Sequence, residues 1–382
     1  MTSKNAKLTL VALIALTVVL GIWRLYYVRS QQPSSSQQVP ERVRVAINLP
    51  LSGPIAAFMG PYPDALRMGL EDGFAKAGRP LNSFELNVQD NAGSPSQAVA
   101  VVQQQLARGF DAYVSGSSEM CTAVLPFVTS TGVPHFLIAF DAYMTSKCAN
   151  CLRILPSYKS EGPEWVEYVK RRGAKRVALL TLNNAPIEEE FNRIVEPGLK
   201  ALGTQFMRER FEWTGSDYRT LALKVQKYKP DAILVNGYSV HLYPIVSALR
   251  SLGLVHAENV LVGLDFDDLL YNGTPKQDLE GVAFVAPLFE VASSAQLRQW
   301  KQRFEDRFHK RATWVAAYAY DTGFALATAS LGKPKVSKTD IRAVLPFDGV
   351  AGRIALDVDG DSESTIVLAK LDSQYSAIRL FP

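Results

Sequence analysis

The sequence predicts an α/β fold: two wound parallel-sheet lobes joined by a multi-strand hinge, with an N-terminal membrane-anchor helix ahead of them. Three observations lead there. From Val43 the chain alternates short β-rich runs with helix-period stretches, as parallel sheets covered by helices require. That rhythm runs through twice, so two units of similar architecture follow one another. An apolar run flanked by basic residues opens the chain.

Lys4 and Lys7 precede the apolar run Leu8–Trp23, and Arg24 and Arg29 follow it, in the basic-then-apolar order of an export signal. As a helix, Leu8 to Val28 would span about 31 Å, enough for a bilayer core if Arg24 snorkels. Trp23, Tyr26 and Tyr27 suit the headgroup level. No small-x-small cleavage pattern follows, so residues 1–28 are expected to stay as an anchor, with a removed signal peptide as the alternative. Residues 29–41, rich in Ser, Gln and Pro, lack an apolar period and read as a tether.

In the first series, strands are expected at Val43–Asn48, Phe84–Gln89, Ala112–Ser115 and His135–Ala139. Helices fall near Asp64–Lys76, Ser96–Arg108 and Thr122–Thr131. Ser94-Pro95 is a good helix start, because proline is tolerated in the first turn. The second series places strands at Arg176–Thr181, Gln205–Phe211, Ala232–Asn236 and Val260–Gly263, and helices at Glu188–Ala201, Tyr218–Tyr228 and Leu242–Leu252. The link between the series is Cys148–Ser157. The last third adds a strand Val282–Leu288, helices Gln296–His309 and Val315–Leu331, and late strands Arg353–Leu356, Thr365–Leu371 and Ala377–Leu380. It is expected to complete the two lobes: 42–150 with 289–342, and 151–288 with 343–382. The chain then crosses between lobes more than once, which makes a hinge and a cleft.

Composition removes several function classes. The 382 residues carry a net charge of only +4, and no concentrated basic stripe argues for nucleic acid. The 4 histidines are scattered without an i, i+4 pair, so no metal site and no cofactor is expected. No G-x-S-x-G elbow, P-loop or G-x-G-x-x-G at a strand end is present, and the chain is not expected to be an enzyme.

Leu49-Pro-Leu-Ser-Gly-Pro-Ile-Ala-Ala-Phe58, followed by Asp64-Ala-Leu-Arg-Met-Gly-Leu-Glu-Asp-Gly73, resembles the leucine/isoleucine/valine-binding family of type I periplasmic binding proteins. Gln89–Ala98, Ser115–Ser118, Gly132-Val-Pro134, Asn236-Gly-Tyr238, Val262-Gly-Leu-Asp265 and Ala317–Asp321 agree in order. So do the closing turns Asp348–Gly352 and Asp357–Asp361. The resemblance covers nearly all of the chain after the tether. It implies the solute-binding component of an ABC-type importer, located in the periplasm and held to the inner membrane by the N-terminal helix, or free if that helix is cleaved. It implies a small polar ligand (an amino acid, an amide or a related compound), permease subunits as partners, and a monomer. The same module also serves as a ligand-sensing ectodomain of signalling systems, which is the alternative; a cleft enzyme built from Asp141 and Asp265 is a remote one.

The resemblance implies ligand-binding roles for Phe58, Ser117, Ser118, Ala139, Asp141, Tyr238 and Asp265. Ser117 and Ser118 open a helix, where free amides and the helix dipole favour an anion; the ordinary alternative is a cap. Ala139 and Asp141 follow a strand end, and Asp141 has turn capping as its alternative. Tyr238 would close over the ligand and Asp265 would pair with an ammonium, against interlobe packing for Tyr238 and a solvated loop with Asp267 and Asp268 for Asp265. Glu119 and Asp141 depart from the family's small residues; with Asp265 they suggest a cationic or amide ligand. In the Asn183–Pro186 loop, relatives commonly carry an aromatic residue and this chain has none. Cys148-Ala-Asn-Cys151 is expected to form a local disulfide, leaving Cys121 as a small buried residue.

Overall fold

The structure, a computed structural model, describes Trp23 and residues 42–53, 55–270 and 273–381, without the side chains of Asp267 and Asp268. Among the described residues no helix is long and apolar enough to cross a membrane. The expected anchor over 1–28 lies outside them apart from Trp23, and the tether lies wholly outside.

Two sheets organise residues 42–381. The first takes β1 (Val43–Leu49), β2 (Phe84–Asp90), β3 (Ala112–Gly116), β4 (His135–Ile138) and β5 (Cys151–Leu152) in the order β2-β1-β3-β4-β5. All its pairings are parallel. Its helices are α1 (Tyr62–Lys76), α2 (Pro95–Arg108) and α3 (Ser118–Thr129). α2 starts where the sequence says it should: Ser94 Oγ accepts from Gln97 N and Pro95 occupies the first turn.

A helix that the sequence reading did not foresee, α4 (Tyr158–Arg172), leads into the second lobe. Gly162-Pro163 disguises it. Pro163 lies inside the helix, beyond its first turn, and forgoes one ladder hydrogen bond there, while a Ser157–Ser160 capping box starts the helix. The second sheet holds β6 (Arg176–Leu182), β7 (Gln205–Phe211), β8 (Ala232–Asn236), β9 (Val260–Val262) and β10 (Val282–Pro287) in parallel. α5 (Ala185–Glu190, continuing through a π-helical turn Phe191–Val195 into Glu196–Ala201), α6 (Tyr218–Tyr228) and α7 (Ser239–Ser251) lie between its strands.

After β10 the chain returns to the first lobe as α8 (Ala295–Phe308) and α9 (Trp314–Ser330), followed by the short α10 (Lys338–Ala343). α9 is apolar nearly all round and buried with α1 in the first core. The two helices approach so closely that a Cβ on Gly69 would lie 1.9 Å from the Tyr320 carbonyl oxygen, and one on Gly323 2.3 Å from that of Leu66. The hairpin β11 (Phe347–Asp348)–β12 (Arg353–Ile354) follows, pinned by the buried carboxylate of Asp321, which accepts from Val350 N (3.0 Å) and Ala351 N (2.9 Å). Finally β13 (Ile366–Leu371) and β14 (Ala377–Arg379) join the second sheet antiparallel, giving β14-β13-β10-β9-β8-β6-β7. The second sheet is therefore mixed: β13 runs antiparallel to β10, and the tight turn at Asp372–Ser376 brings β14 back antiparallel to β13.

Three segments cross between the sheets and bind one another. The first follows β5, the second is Pro287-Leu288, and the third is 355–365. Leu288 N donates to Thr365 O, and the hydroxyls of Ser362 and Ser364 donate to Ile154 O. At their centre is Arg153, fully buried. Its Nε reaches Asp361 Oδ1 at 2.8 Å and its Nη2 reaches Asp361 Oδ2 at 2.5 Å. The other guanidinium hydrogens go to the carbonyls of Ala139, Asp141 and Ala142. Gly360 closes the third segment at φ +88°, 2.8 Å from Cys151 O at its missing Cβ, so only glycine fits.

Removing one partner of a buried ion pair strands the other's charge. Arg153→Met is expected to cost about 3–5 kcal/mol of unfolding free energy. Lys159→Met breaks the Lys159–Asp357 pair, whose lysine is 43% exposed, and should cost under about 1 kcal/mol. Urea denaturation of both variants measures the difference.

Candidate functional site

A pocket of about 700 Å³ of empty space, counting its open mouth, lies between the carboxyl ends of the parallel strands of the two sheets. It brings together Phe58, Ser117, Ser118, Tyr238 and Asp265. Each sits just past a strand: Phe58 after β1, the serines after β3, Tyr238 after β8 and Asp265 after β9. A parallel sheet delivers all these ends to one edge, so residues far apart in sequence meet there.

Ser117 takes the N-cap place of α3 at φ +69°, strained for a non-glycine residue. The strain is held by its N–H donating to Ile138 O (2.8 Å) and its hydroxyl donating to Glu119 Oε2 (2.8 Å). Its side chain therefore gives the helix no cap. Ser118 is the first helical residue, its Oγ accepting from Asp141 N at 3.4 Å. The start of α3 thus faces the pocket with uncapped amides. α7 does the same from the second lobe, with Tyr238 at its N-cap, no side-chain cap, and Ser239 on the pocket wall. Two positive helix ends flank the cavity and favour negative charge on whatever enters.

Ala139 and Asp141 are not brought to the pocket lining. Ala139 is buried beside Cys121, Leu137 and Met144, and its carbonyl serves Arg153. Asp141 spends its carboxylate on Tyr143 N (3.0 Å) and Lys147 Nζ (3.4 Å), capping the turn that follows. Glu119 is exposed and engaged with Ser117. Of the three acids that suggested a cationic ligand, Asp265 alone lines the cavity.

The lining also includes residues the sequence reading passed over. Phe140 lies 6.1 Å from Phe58 ring to ring, and Phe58 lies 5.5 Å from Trp314. Trp213, in the loop after β7, lies edge-on to Tyr238 at 5.1 Å. Position past a strand end was the available signal for both. Asn184, in the loop without an aromatic residue, donates to the Tyr238 hydroxyl at 3.4 Å. Burial, with the Glu119 and Asp265 carboxylates nearby, raises the Tyr238 pKa and keeps its hydroxyl protonated.

Behind the second-lobe wall two carboxyls are sealed from solvent. Glu161 Oε1 accepts from Leu264 N at 2.9 Å, one residue before Asp265. Glu190 accepts from Trp165 Nε1 (2.9 Å) and Asn236 Nδ2 (2.8 Å). Burial raises both pKa values, and Glu161 pushes Glu190 up further. Among the described residues Glu161 Oε2 and the Tyr158 hydroxyl have no hydrogen-bond partner.

Beneath α3, Cys148 and Cys151 are joined in a disulfide, with Cα atoms 5.3 Å apart. His135 Nε2 meets Ser115 Oγ at 2.7 Å, and Ser115 donates to Cys121 Sγ at 3.1 Å. Burial takes His135 down to about 3 and Cys121 up to about 12, so both are neutral. His135, Cys148 and Cys151 bring ligand-type atoms within 4.8 Å of one another, but sulfurs bonded to each other offer no thiolate to a metal.

Two α/β lobes, three crossing segments and a pocket at the facing strand ends define a cleft-type solute-binding protein. The periplasmic binding protein family model matches residues 42–374, and the chain belongs to that family. No curated protein matches it in sequence. Among solved structures it is similar to the branched-chain amino acid transporter substrate-binding protein LivJ of Streptococcus pneumoniae, in complex with isoleucine. The TM-score is 0.75 at 19% identity, covering 89% of this chain and 100% of that one. It is also similar to the leucine-binding protein LivK of Thermotoga maritima (0.73, 20%, 88% and 99%). A third is an ABC-transporter solute-binding protein of Rhodopseudomonas palustris in complex with 3,4-dihydroxybenzoic acid (0.74, 19%, 89% and 96%).

The raised pKa values of Glu161 and Glu190 mean that the folded state holds protons the unfolded state gives up. The stability this confers is complete below the ordinary carboxylate range and is lost as pH rises above it, at up to about 1.4 kcal/mol per pH unit per group. Thermal melts from pH 5 to 9 should fall toward alkaline pH, and Glu161→Gln should flatten that fall. Ser117→Gly should keep or raise the melting temperature by relieving about 1 kcal/mol of backbone strain.

Proposed function

We propose that this chain is the solute-binding component of an ABC-type importer, capturing a small ligand by closure of the two lobes. The observation that carries this is a single pocket to which both lobes contribute polar and aromatic groups across a hinge. The amide and hydroxyl of Ser118, at the uncapped helix start that Ser117 sets, bind the ligand's carboxylate, Asp265 takes its ammonium or other donor, and Phe58 and Tyr238 cover its apolar part. Ala139 and Asp141 act behind the wall, through their carbonyls on Arg153. Ligand bridging the lobes shifts the open–closed equilibrium, and permease subunits recognise the closed form.

The structures of relatives with isoleucine and with dihydroxybenzoic acid support a carboxylate at one end of the site. Family membership supports an extracytoplasmic location; residues 1–28 would tether the protein to the inner membrane. The reading makes the chain a binder rather than an enzyme, in keeping with a buried Cys121 and His135 that are both held neutral. A thermal-shift screen of the full chain against amino acids, amides, polyamines and small aromatic acids tests it. A ligand at 100 times its Kd should stabilise the fold by about 2.7 kcal/mol, and silence across all classes would sink the reading.

Asp265→Asn removes a charge-assisted bond. It should weaken binding of an amino acid about tenfold or more, while sparing the corresponding carboxylic acid without its ammonium. Isothermal titration of both ligands separates the two effects.

A further inference from the structure

Trp213 is placed as a recognition residue rather than a core residue. Its loop, Glu212-Trp-Thr-Gly-Ser-Asp217, is otherwise polar and tied down on both sides of the indole. Glu212 N donates to Ser216 Oγ (2.8 Å), Asn183 Nδ2 donates to Glu212 Oε1 (2.9 Å), and the His241 ring meets the Trp213 carbonyl at 3.1 Å. The indole is oriented by edge contacts to Tyr238 and His241, each at 5.1 Å. Yet Trp213 stays 47% exposed while lining the pocket, and Val240 beside it is 56% exposed. A fixed backbone, an oriented ring and an uncovered apolar surface at a cavity mouth describe half of a contact. The other half faces it from the first lobe, where Phe58 and Phe140 lie 6.1 Å apart.

We propose that Trp213 is a specificity-determining residue that selects small carboxylates bearing an aromatic ring, the ring being held between Trp213 and Tyr238 on one lobe and Phe58 and Phe140 on the other. This rests on the solute-capture reading and narrows it. Burying the exposed indole and Val240 favours any apolar group, by area alone. An aromatic ring gains more, because offset and edge-on ring pairs add attraction beyond the area they bury. His241 does not compete for a second anionic group, since burial lowers its pKa and leaves it neutral. Asp265 lines the same cavity, and the uncapped start of α3 takes the carboxylate.

The test is titration calorimetry of the full chain with L-phenylalanine, benzoate and L-leucine, repeated on Trp213→Ala and Trp213→Phe. One aromatic probe should bind the unaltered chain more tightly than leucine. Trp213→Ala should weaken that probe about tenfold and leucine less than about threefold, and Trp213→Phe should restore most of the loss. An unchanged leucine affinity in Trp213→Ala shows at the same time that the variant is folded. Leucine binding at least as tightly as both aromatic probes, or Trp213→Ala weakening all probes alike, overturns the selection by Trp213 and leaves solute capture standing. No binding of any of the three probes to the unaltered chain overturns the selection by Trp213, and silence across the thermal-shift screen as well overturns both.

Discussion

The fold of residues 42–381 depends on one buried ion pair, Arg153 with Asp361. Taking both charges out of water costs several kcal/mol per ion, and their attraction offsets that only if the geometry is good and the remaining hydrogens are satisfied. Here they are: two go to Asp361 and the rest to three carbonyls of the Ala139–Ala142 loop. Arg153 itself stands on the first crossing segment, and its partners come from the third crossing segment and the wall behind the pocket. A guanidinium fork can meet all of them only in one arrangement, so the pair fixes where the crossing segments lie side by side and where the Phe140 ring enters the cleft. Asp321 acts in the same way on a smaller scale, holding the β11–β12 turn against α9 through two backbone N–H groups.

Much of this was legible in the sequence because the controlling physics is local. Buried strands such as Ala232–Asn236 and helices such as Tyr218–Tyr228 declare themselves by apolar runs and period. A parallel sheet then gathers its carboxyl ends, which is why Phe58, Ser117, Ser118, Tyr238 and Asp265 meet in one pocket. What was illegible is tertiary. Gly162-Pro163 reads as a break, yet it lies inside a helix that the Ser157–Ser160 capping box has already started. Asp361 looks like one more acid in a solvated turn, and only the return of the third segment buries it against Arg153.

Side-chain direction was the larger loss. Glu119, Asp141 and Asp265 all follow strand ends, and spacing alone makes them a three-acid wall. The structure turns Glu119 to Ser117 and Asp141 to Lys147 and a turn amide, because nearer donors than any ligand were available. Conversely, Glu161 and Glu190 sit in polar stretches that read as surface, and both are sealed behind Leu264 and Asn236. The electrostatics of the second-lobe wall are therefore set by carboxyls that hold their protons, with Asp265 in front of them.

Strain and exposure at the pocket complement each other. Ser117 carries a positive φ that a glycine would adopt at less cost, so the fold itself does not need a serine there. A serine kept there puts a hydroxyl and the following amides at the cavity wall, with their orientation already fixed before anything binds. Across the cleft, Trp213 and Val240 leave apolar surface in water that a compact fold would ordinarily cover. Each feature costs stability on its own lobe, and one small molecule with a polar end and an apolar body can recover both costs at once by joining the lobes. Because the three crossing segments are bonded to one another, such a molecule need only bias the relative position of two otherwise finished cores. Closure can then be driven by a contact area far smaller than either core.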